Sequence, residues 1–133
     1  MPEQRDVPAG FTHHEAGPFL DHVGPLYSDD RDGRIGLRVG AQHLNRGGTA
    51  HGGLLATLVD TAMGTAVRAQ ADGDAAATVS LTTDYLGPAK EGDWVQATTE
   101  VERLGGRLAF VDCSLRVEDR EVVRARAVFT LLD

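Results

Sequence analysis

Four residues in one short stretch carry groups that could act together on a substrate. They are Asn45, His51, Gly52 and Asp60, within HLNRGGTAHGGLLATLVDTAMG at residues 43 to 64. The first part is polar and glycine-rich; the second is patterned as an amphipathic helix. Glycine pairs permit backbone conformations and close approaches denied to other residues. The second pair, Gly52 and Gly53, opens the helix, where free N–H groups and the positive end of the dipole can hold a developing negative charge. An oxyanion formed during acyl transfer is such a charge, and one well-placed donor is worth roughly 10² to 10³ in rate.

Asp60 poses the sharper question. On a helical wheel Leu54, Leu55, Leu58, Val59, Ala62, Met63, Ala66 and Val67 make one broad apolar face. Asp60 falls roughly 130° from the centre of that face. An acid on an outer face is commonplace, but between Gly53 and Arg68 it is the sole ionisable residue. Its side of the helix also carries Gly53, Ala56, Thr57 and Gly64, a row of small residues that suits the close approach of a partner chain or a ligand. Metal binding fits poorly, since His43, His51 and Asp60 match no common zinc spacing.

The surrounding elements come from periodicity and punctuation. GPFLDHVGPLY predicts a short helical turn. LYSDDRDGRIGLRVG reads as strand, turn and strand, with Asp-Gly at 32–33 as the hairpin signal. One long helix is expected from about 52 to 70, ended by ADGDAA. Strands are expected near 76–86, 93–104, 107–117 and 121–132. In the last, Val123, Ala125 and Ala127 alternate with Arg124 and Arg126, as in a strand with one wet face. Residues 1–17 read as a flexible tail with His13 and His14 solvated, and residues 18–133 as the single domain. The layout is α+β: five or six antiparallel strands, a sheet curled against one helix. An open sheet edge invites pairing between chains.

Composition narrows the partners. The net charge of −7 over 133 residues argues against nucleic-acid and anionic-membrane surfaces. No apolar run is long enough to span a membrane, and the first ten residues lack a signal-peptide core. A single cysteine, Cys113, cannot form a disulfide within the chain and fits a cytoplasmic setting. It lies in the strand-like FVDCSL, where a lone cysteine behaves as a small buried residue rather than a nucleophile.

The stretch from His43 to Ala66 resembles the hot-dog-fold acyl-CoA thioesterases of the PaaI-like family, in which Asn, Gly, His-Gly-Gly and a helical Asp occur in this order and spacing. The similarity continues through TVSLTTDYLGPAKEGDWVQATTEV and GGRLAFVDCSLRVEDREVVRARAVFTLL, covering about residues 35 to 132. The resemblance implies a sheet wrapped around the central helix, and a homodimer that usually pairs again into a homotetramer, with active sites at the dimer interface. It implies that Asp60 is the catalytic acid, acting as general base for water or as nucleophile. Gly52 N–H would polarise the thioester carbonyl, and Asn45 would stand near the thioester or the attacking water. His51 would orient the loop. Counting on from Asp60 places the family's strand hydroxyl on Thr78, with Ser80 as its neighbour. Arg107 and Lys90 match positions suited to coenzyme A phosphates. No cofactor is implied, coenzyme A being part of the substrate. Gly87 departs from the family, whose members often carry a larger or polar residue there.

The expected reaction is hydrolysis of an acyl-CoA, the acyl group being aromatic (phenylacetyl or hydroxybenzoyl type) or short-to-medium aliphatic. The alternative is an acyl-CoA-binding sensor or regulatory subunit, which has no need of a carboxylate beside a thioester. A hot-dog dehydratase would want a catalytic histidine in another arrangement.

Overall fold

The chain folds, in a computed structural model that describes residues 7–72 and 75–132, into one antiparallel sheet curled around a 19-residue helix. The elements in order are β1 (Phe11–His14), α1 (Pro18–Val23), β2 (Leu26–Asp29), β3 (Ile35–Arg38), a 3₁₀ turn (Ala41–His43), α2 (Gly52–Gln70), β4 (Ala76–Tyr85), β5 (Trp94–Leu104), β6 (Leu108–Val117) and β7 (Arg120–Leu131). The sheet order is β1-β2-β3-β5-β6-β7-β4, which leaves β4 as one edge. No helix among the described residues is long and apolar enough to cross a membrane.

The boundaries of α2 and of β4 to β7 lie within two residues of those expected, because both rest on local pattern. The tail expectation needs correction. Residues 1–6 lie outside the described residues, as do 73 and 74 in the segment expected to end the helix. Residues 11–14, however, pair with β2 and add a seventh strand. The anchor is Phe11, 4% exposed, packed edge-on against Trp94 at 5.1 Å with the Arg34 guanidinium over its ring. His13 is exposed, as expected, with its ring edge-on to Tyr27, whereas His14, also expected to be solvated, is half-buried. One large apolar residue among charges gives no periodicity to read, so only the tertiary partner reveals this strand.

The β2–β3 turn is held by a buried carboxylate. Asp29 accepts from Arg31 Nε at 3.0 Å, Arg31 Nη2 at 2.7 Å and the Arg31 backbone N–H at 3.0 Å, with Arg34 Nη2 at 3.4 Å. Those bonds, the side-chain ones foremost, hold its pKa well below the ordinary 3.8. The carboxylate is closed to solvent, yet its cover is thin, consisting of arginine side chains that are themselves partly exposed. A depressed folded pKa gives stability that is present above the unfolded value and lost as pH falls through the folded one. Asp29→Asn is therefore expected to lower Tm by several degrees at pH 7, and the gap to the wild type should begin to narrow below about pH 4 and keep narrowing as pH falls further. Thermal melts across pH 2–8 check this; parallel curves with no gap would remove the role.

The core lies between α2 and the inner face of the sheet. Leu58, Val59, Met63 and Val67 are at most 1% exposed, and they meet Val95, Val111, Leu115 and Val123, equally buried. Burying each such side chain contributes about 1.5–3 kcal/mol. Two positions differ from the wheel. Ala66 is only half-buried, and Gly64, expected in the small-residue row beside Asp60, is buried, with Phe129 Cε2 3.4 Å from where its Cβ would stand. The close approach at Gly64 is thus made by β7 of the same chain.

One irregularity in β4 sets the direction of its side chains. The strand pairs with β7 through Thr78↔Phe129 and then Ser80↔Val128, so Val79 is an extra, bulged residue, 59% exposed. In a regular strand Thr78 and Ser80 would face the same side. The bulge turns them to opposite faces, as bulges beside functional sites often re-aim side chains.

Candidate active site

Asp60 lies half-buried on the α2 face toward β4, and Thr78 reaches it across the bulge. The Thr78 hydroxyl donates to Asp60 Oδ1 at 2.6 Å, the length of a charge-assisted O–H···O⁻ bond. Ser80, on the other face, lines a groove with Phe110 and Arg126 and does not approach Asp60. Among the described residues Asp60 Oδ2 has no hydrogen-bond partner, which leaves it open to a water or a carbonyl carbon.

The glycine loop forms a second cluster. Asn45 closes a tight turn: its Oδ1 accepts from the Thr49 N–H at 3.1 Å, its Nδ2 donates to Thr49 Oγ1 at 3.2 Å, and its own N–H bonds Thr49 O at 2.7 Å. Gly48, at φ +89°, takes the left-handed conformation that turn needs. The loop rests on the segment after β4, Ala50 N–H donating to Ala89 O at 2.8 Å. His51 is the N-cap of α2; its Nδ1 accepts from the Gly53 N–H at 2.8 Å, which places its proton on Nε2. His43 is buried, Nδ1 accepting from the Gly40 N–H and Nε2 donating to Val23 O, so it ties α1 to the loop. With these bonds His43, His51 and Asp60 do not converge on a common point. The Gly52 N–H has no acceptor among the described residues and stands at the positive end of a 19-residue helix.

Gly52 and Asp60 are eight residues apart along α2, about 12 Å at the helical rise of 1.5 Å per residue. The two clusters of one chain therefore cannot act on the same carbonyl group. Arg107 and Lys90 are likewise separated. Arg107 O accepts from Leu131 N–H beside the start of β4, whereas Lys90 bridges to Thr49 beyond its end. Both side chains are exposed.

One residue escaped the sequence reading. Tyr85, the last of β4, donates from its hydroxyl to Gly52 O at 2.9 Å. The aromatic residue at a strand end carried no spacing signal toward the loop, because the contact spans 33 positions.

A pocket of about 470 Å³ opens beside the loop, lined by Phe19 and Val23 of α1, Leu44, Leu54 and the polar His22, His51 and Thr57. A larger groove of about 580 Å³ runs over the outer face of the sheet, among Glu100, Asp112, Arg124 and Arg126. It holds paired charges such as Arg126–Asp112 and lies across the sheet from Asp60. The pocket at the loop is the one placed for chemistry. Cys113 is buried in β6 and its thiol is pushed up to about 12 by burial, so it stays protonated and unreactive. Gly87 has Arg120 Nη1 3.4 Å from its absent Cβ, and Arg120 also donates to Pro88 O, which fixes the turn beside Tyr85.

Known proteins resemble this chain in sequence and fold. The family model described as "Thioesterase superfamily" matches residues 47–124. A Pseudomonas aeruginosa protein with a provisional esterase name is 39% identical over 131 residues, covering 95% of this chain and 98% of that one. The Escherichia coli acyl-coenzyme A thioesterase PaaI is 34% identical over 89 residues, 67% of this chain and 62% of its own; mouse acyl-coenzyme A thioesterase 13 is 37% identical over 79, 59% and 56%. The chain thus spans more than half, but less than two thirds, of those two enzymes. Among solved structures, a Bacillus halodurans protein crystallised with CoA superposes with a TM-score of 0.78 at 28% identity, over 87% of this chain and 77% of that one. The E. coli PaaI structure gives 0.71 at 31% identity, over 75% and 72%. On the match over the loop, α2 and the strands after it, this chain belongs to the thioesterase superfamily.

Proposed function

We propose that the protein hydrolyses acyl-CoA thioesters to the free acid and CoA, in active sites completed by a second copy of the chain. The observation that carries this is the pair of half-sites: an acid held by Thr78 and a free helix N–H at Gly52, about 12 Å apart in one chain. The exposed edge of β4 supplies the way to join them. Its outer backbone groups are unpaired, and Val79, Tyr85 and Leu86 are more than half exposed along it. Two β4 strands paired antiparallel about a two-fold axis at Thr82, with Val79 as the extra residue, set Thr78 of one copy opposite Tyr85 of the other. Asp60, bonded to Thr78, then faces Gly52 of the second copy, bonded to Tyr85. The same pairing carries Arg107 of one copy toward Lys90 of the other, on either side of one slot, where they suit CoA phosphates. A further pairing into a tetramer is compatible with this dimer.

In that site the Gly52 N–H donates to the thioester oxygen as negative charge gathers there. Asp60 Oδ2 either takes a proton from water, which attacks the carbonyl carbon, or attacks the carbon itself to give an anhydride that water then opens. The C–S bond breaks, the CoA thiolate takes up a proton, and the acid is released. Thr78 holds the carboxylate in line. Single turnover in H₂¹⁸O separates the routes: general-base attack puts one ¹⁸O into the acid, whereas an anhydride opened by water at the Asp60 carbon releases a first acid with no ¹⁸O and leaves the label on Asp60. Asn45 shapes the loop, while His51 fixes the peptide at the helix start. We place the enzyme in the cytoplasm, on its single unpaired cysteine.

The pocket at α1 takes the acyl group. Its apolar wall and its histidine, threonine and glutamine rim accommodate an aromatic acyl group or a short-to-medium chain. Phe19, 61% exposed, contributes a ring edge there. Phe19→Ala is expected to raise KM for phenylacetyl-CoA about fivefold with kcat nearly unchanged, a stacking contact being worth about 1 kcal/mol. Equal KM values would move the acyl group elsewhere.

The test of function is release of free thiol from a panel of aromatic and aliphatic acyl-CoAs. Turnover of at least one member is expected, and the panel names the acyl class. Tight binding of acyl-CoA with no turnover of any member would instead make the protein a sensor.

A further inference from the structure

We infer that Tyr85 is a positioning residue for the oxyanion donor: its hydroxyl and the His51 ring clamp the Gly52–Gly53 peptide so that the Gly52 N–H points at a fixed place. The inference rests on the thioesterase reading for its kinetic consequence, although the clamp itself is a property of the free protein. The peptide is held at both ends, its carbonyl accepting from Tyr85 Oη at 2.9 Å and its N–H donating to His51 Nδ1 at 2.8 Å. On the other side of Gly52, the His51 backbone N–H donates to His43 O at 2.8 Å. The Tyr85 ring also lies 3.5 Å from the place of a Gly52 Cβ, an ordinary packing distance.

Two adjacent glycines need such a clamp. Glycine loses more conformational freedom on ordering than any other residue, so an unfastened Gly-Gly at a helix start would spread its N–H over many directions. A donor stabilises a developing oxyanion because it is fixed beforehand and need not reorganise.

Strand parity shows how the residue reaches its target. Thr78 and Tyr85 are seven positions apart, and in a regular strand they would face opposite sides of the sheet. The bulge at Val79 brings both to the α2 side, one to Asp60 and the other to Gly52. A single irregularity in β4 thus serves both half-sites.

The test is Tyr85→Phe, which keeps the ring and removes only the donor. Tyr85 is 53% exposed, so the variant is expected to fold with nearly the wild-type Tm. Two readouts decide the matter. In ¹⁵N-labelled free protein, amide exchange at Gly53, the hydrogen-bonded N–H of the clamp, should quicken several-fold while exchange in the rest of α2 stays constant. In the thiol-release assay kcat should fall about tenfold with KM unchanged, the share of one net hydrogen bond expressed only in the transition state. A residue that merely packed would move Tm and leave both readouts alone. Unchanged exchange at Gly53, or a kcat within twofold of wild type in an enzyme that Asp60→Asn silences, overturns the inference and leaves the thioesterase reading intact. If the wild type hydrolyses no acyl-CoA, that reading falls instead, and the exchange measurement alone decides the clamp.

Discussion

Asp60→Asn is expected to lower kcat for acyl-CoA hydrolysis by about 10² to 10⁴, the range that a positioned base or acid supplies. The substitution nearly preserves shape. Asparagine Oδ1 still accepts from the Thr78 hydroxyl, so the 2.6 Å bond survives and the helix keeps its contact with β4. What disappears is the charge on the second oxygen, the atom open to water or substrate. KM should change little, since the loss falls on the chemical step. Steady-state kinetics with the preferred acyl-CoA checks this, with CoA binding as the control for an intact site. Activity within threefold of wild type would deny Asp60 any part in the reaction.

Gly52→Pro is the complementary variant, and its effect should be about 10² to 10³ on kcat. Proline is well accepted at the first position of a helix, where its missing N–H has no intrahelical partner anyway. The preceding residue, His51, already has φ −63° and ψ 136°, the extended conformation that proline demands of its neighbour. The nearest atoms to a Cβ at Gly52 belong to Tyr85, at an ordinary packing distance of 3.5 Å. The change therefore replaces the N–H hydrogen by the ring's Cδ in a backbone conformation that proline accepts, and full activity would exclude the Gly52 N–H as oxyanion donor.

The two variants together test whether each site draws on two chains. Asp60→Asn and Gly52→Pro are both silent alone, but mixed subunits unite the intact acid of one with the intact loop of the other. If subunits exchange freely in equal amounts, half the dimers are mixed and each holds one complete site, so activity should return to about a quarter of wild type. If both groups served within one chain, no mixture could recover. The 12 Å between them along α2 makes recovery the expected result.

Much of the candidate site was legible in local pattern. The glycine loop, α2 and Asp60 were read from periodicity, from Gly-Gly at a helix start and from an acid with no ionisable neighbours. Such signals are local: the helix repeats every 3.6 residues and its first turn always leaves N–H groups free, whatever it packs against. The hairpin at Asp32-Gly33 and the four long strands came from turn chemistry and alternation, local as well. Thr78 was reached by counting along a family pattern, and counting alone could not separate it from Ser80.

The tertiary structure decided the rest. Sequence marks no bulge at Val79, because an extra residue is defined only by the partner strand that fails to match it. Without the bulge, parity would place Thr78 with Ser80 and turn Tyr85 away from the loop. The strand at Phe11 depended on Trp94 and Arg34, both distant along the chain, to make one apolar residue worth burying. Gly64, assigned by the wheel to the face of Asp60, was claimed by Phe129. By itself, then, the sequence determined which groups could do the chemistry. Where the side chains around them point, Thr78 to Asp60 and Tyr85 to Gly52, came from non-local pairing.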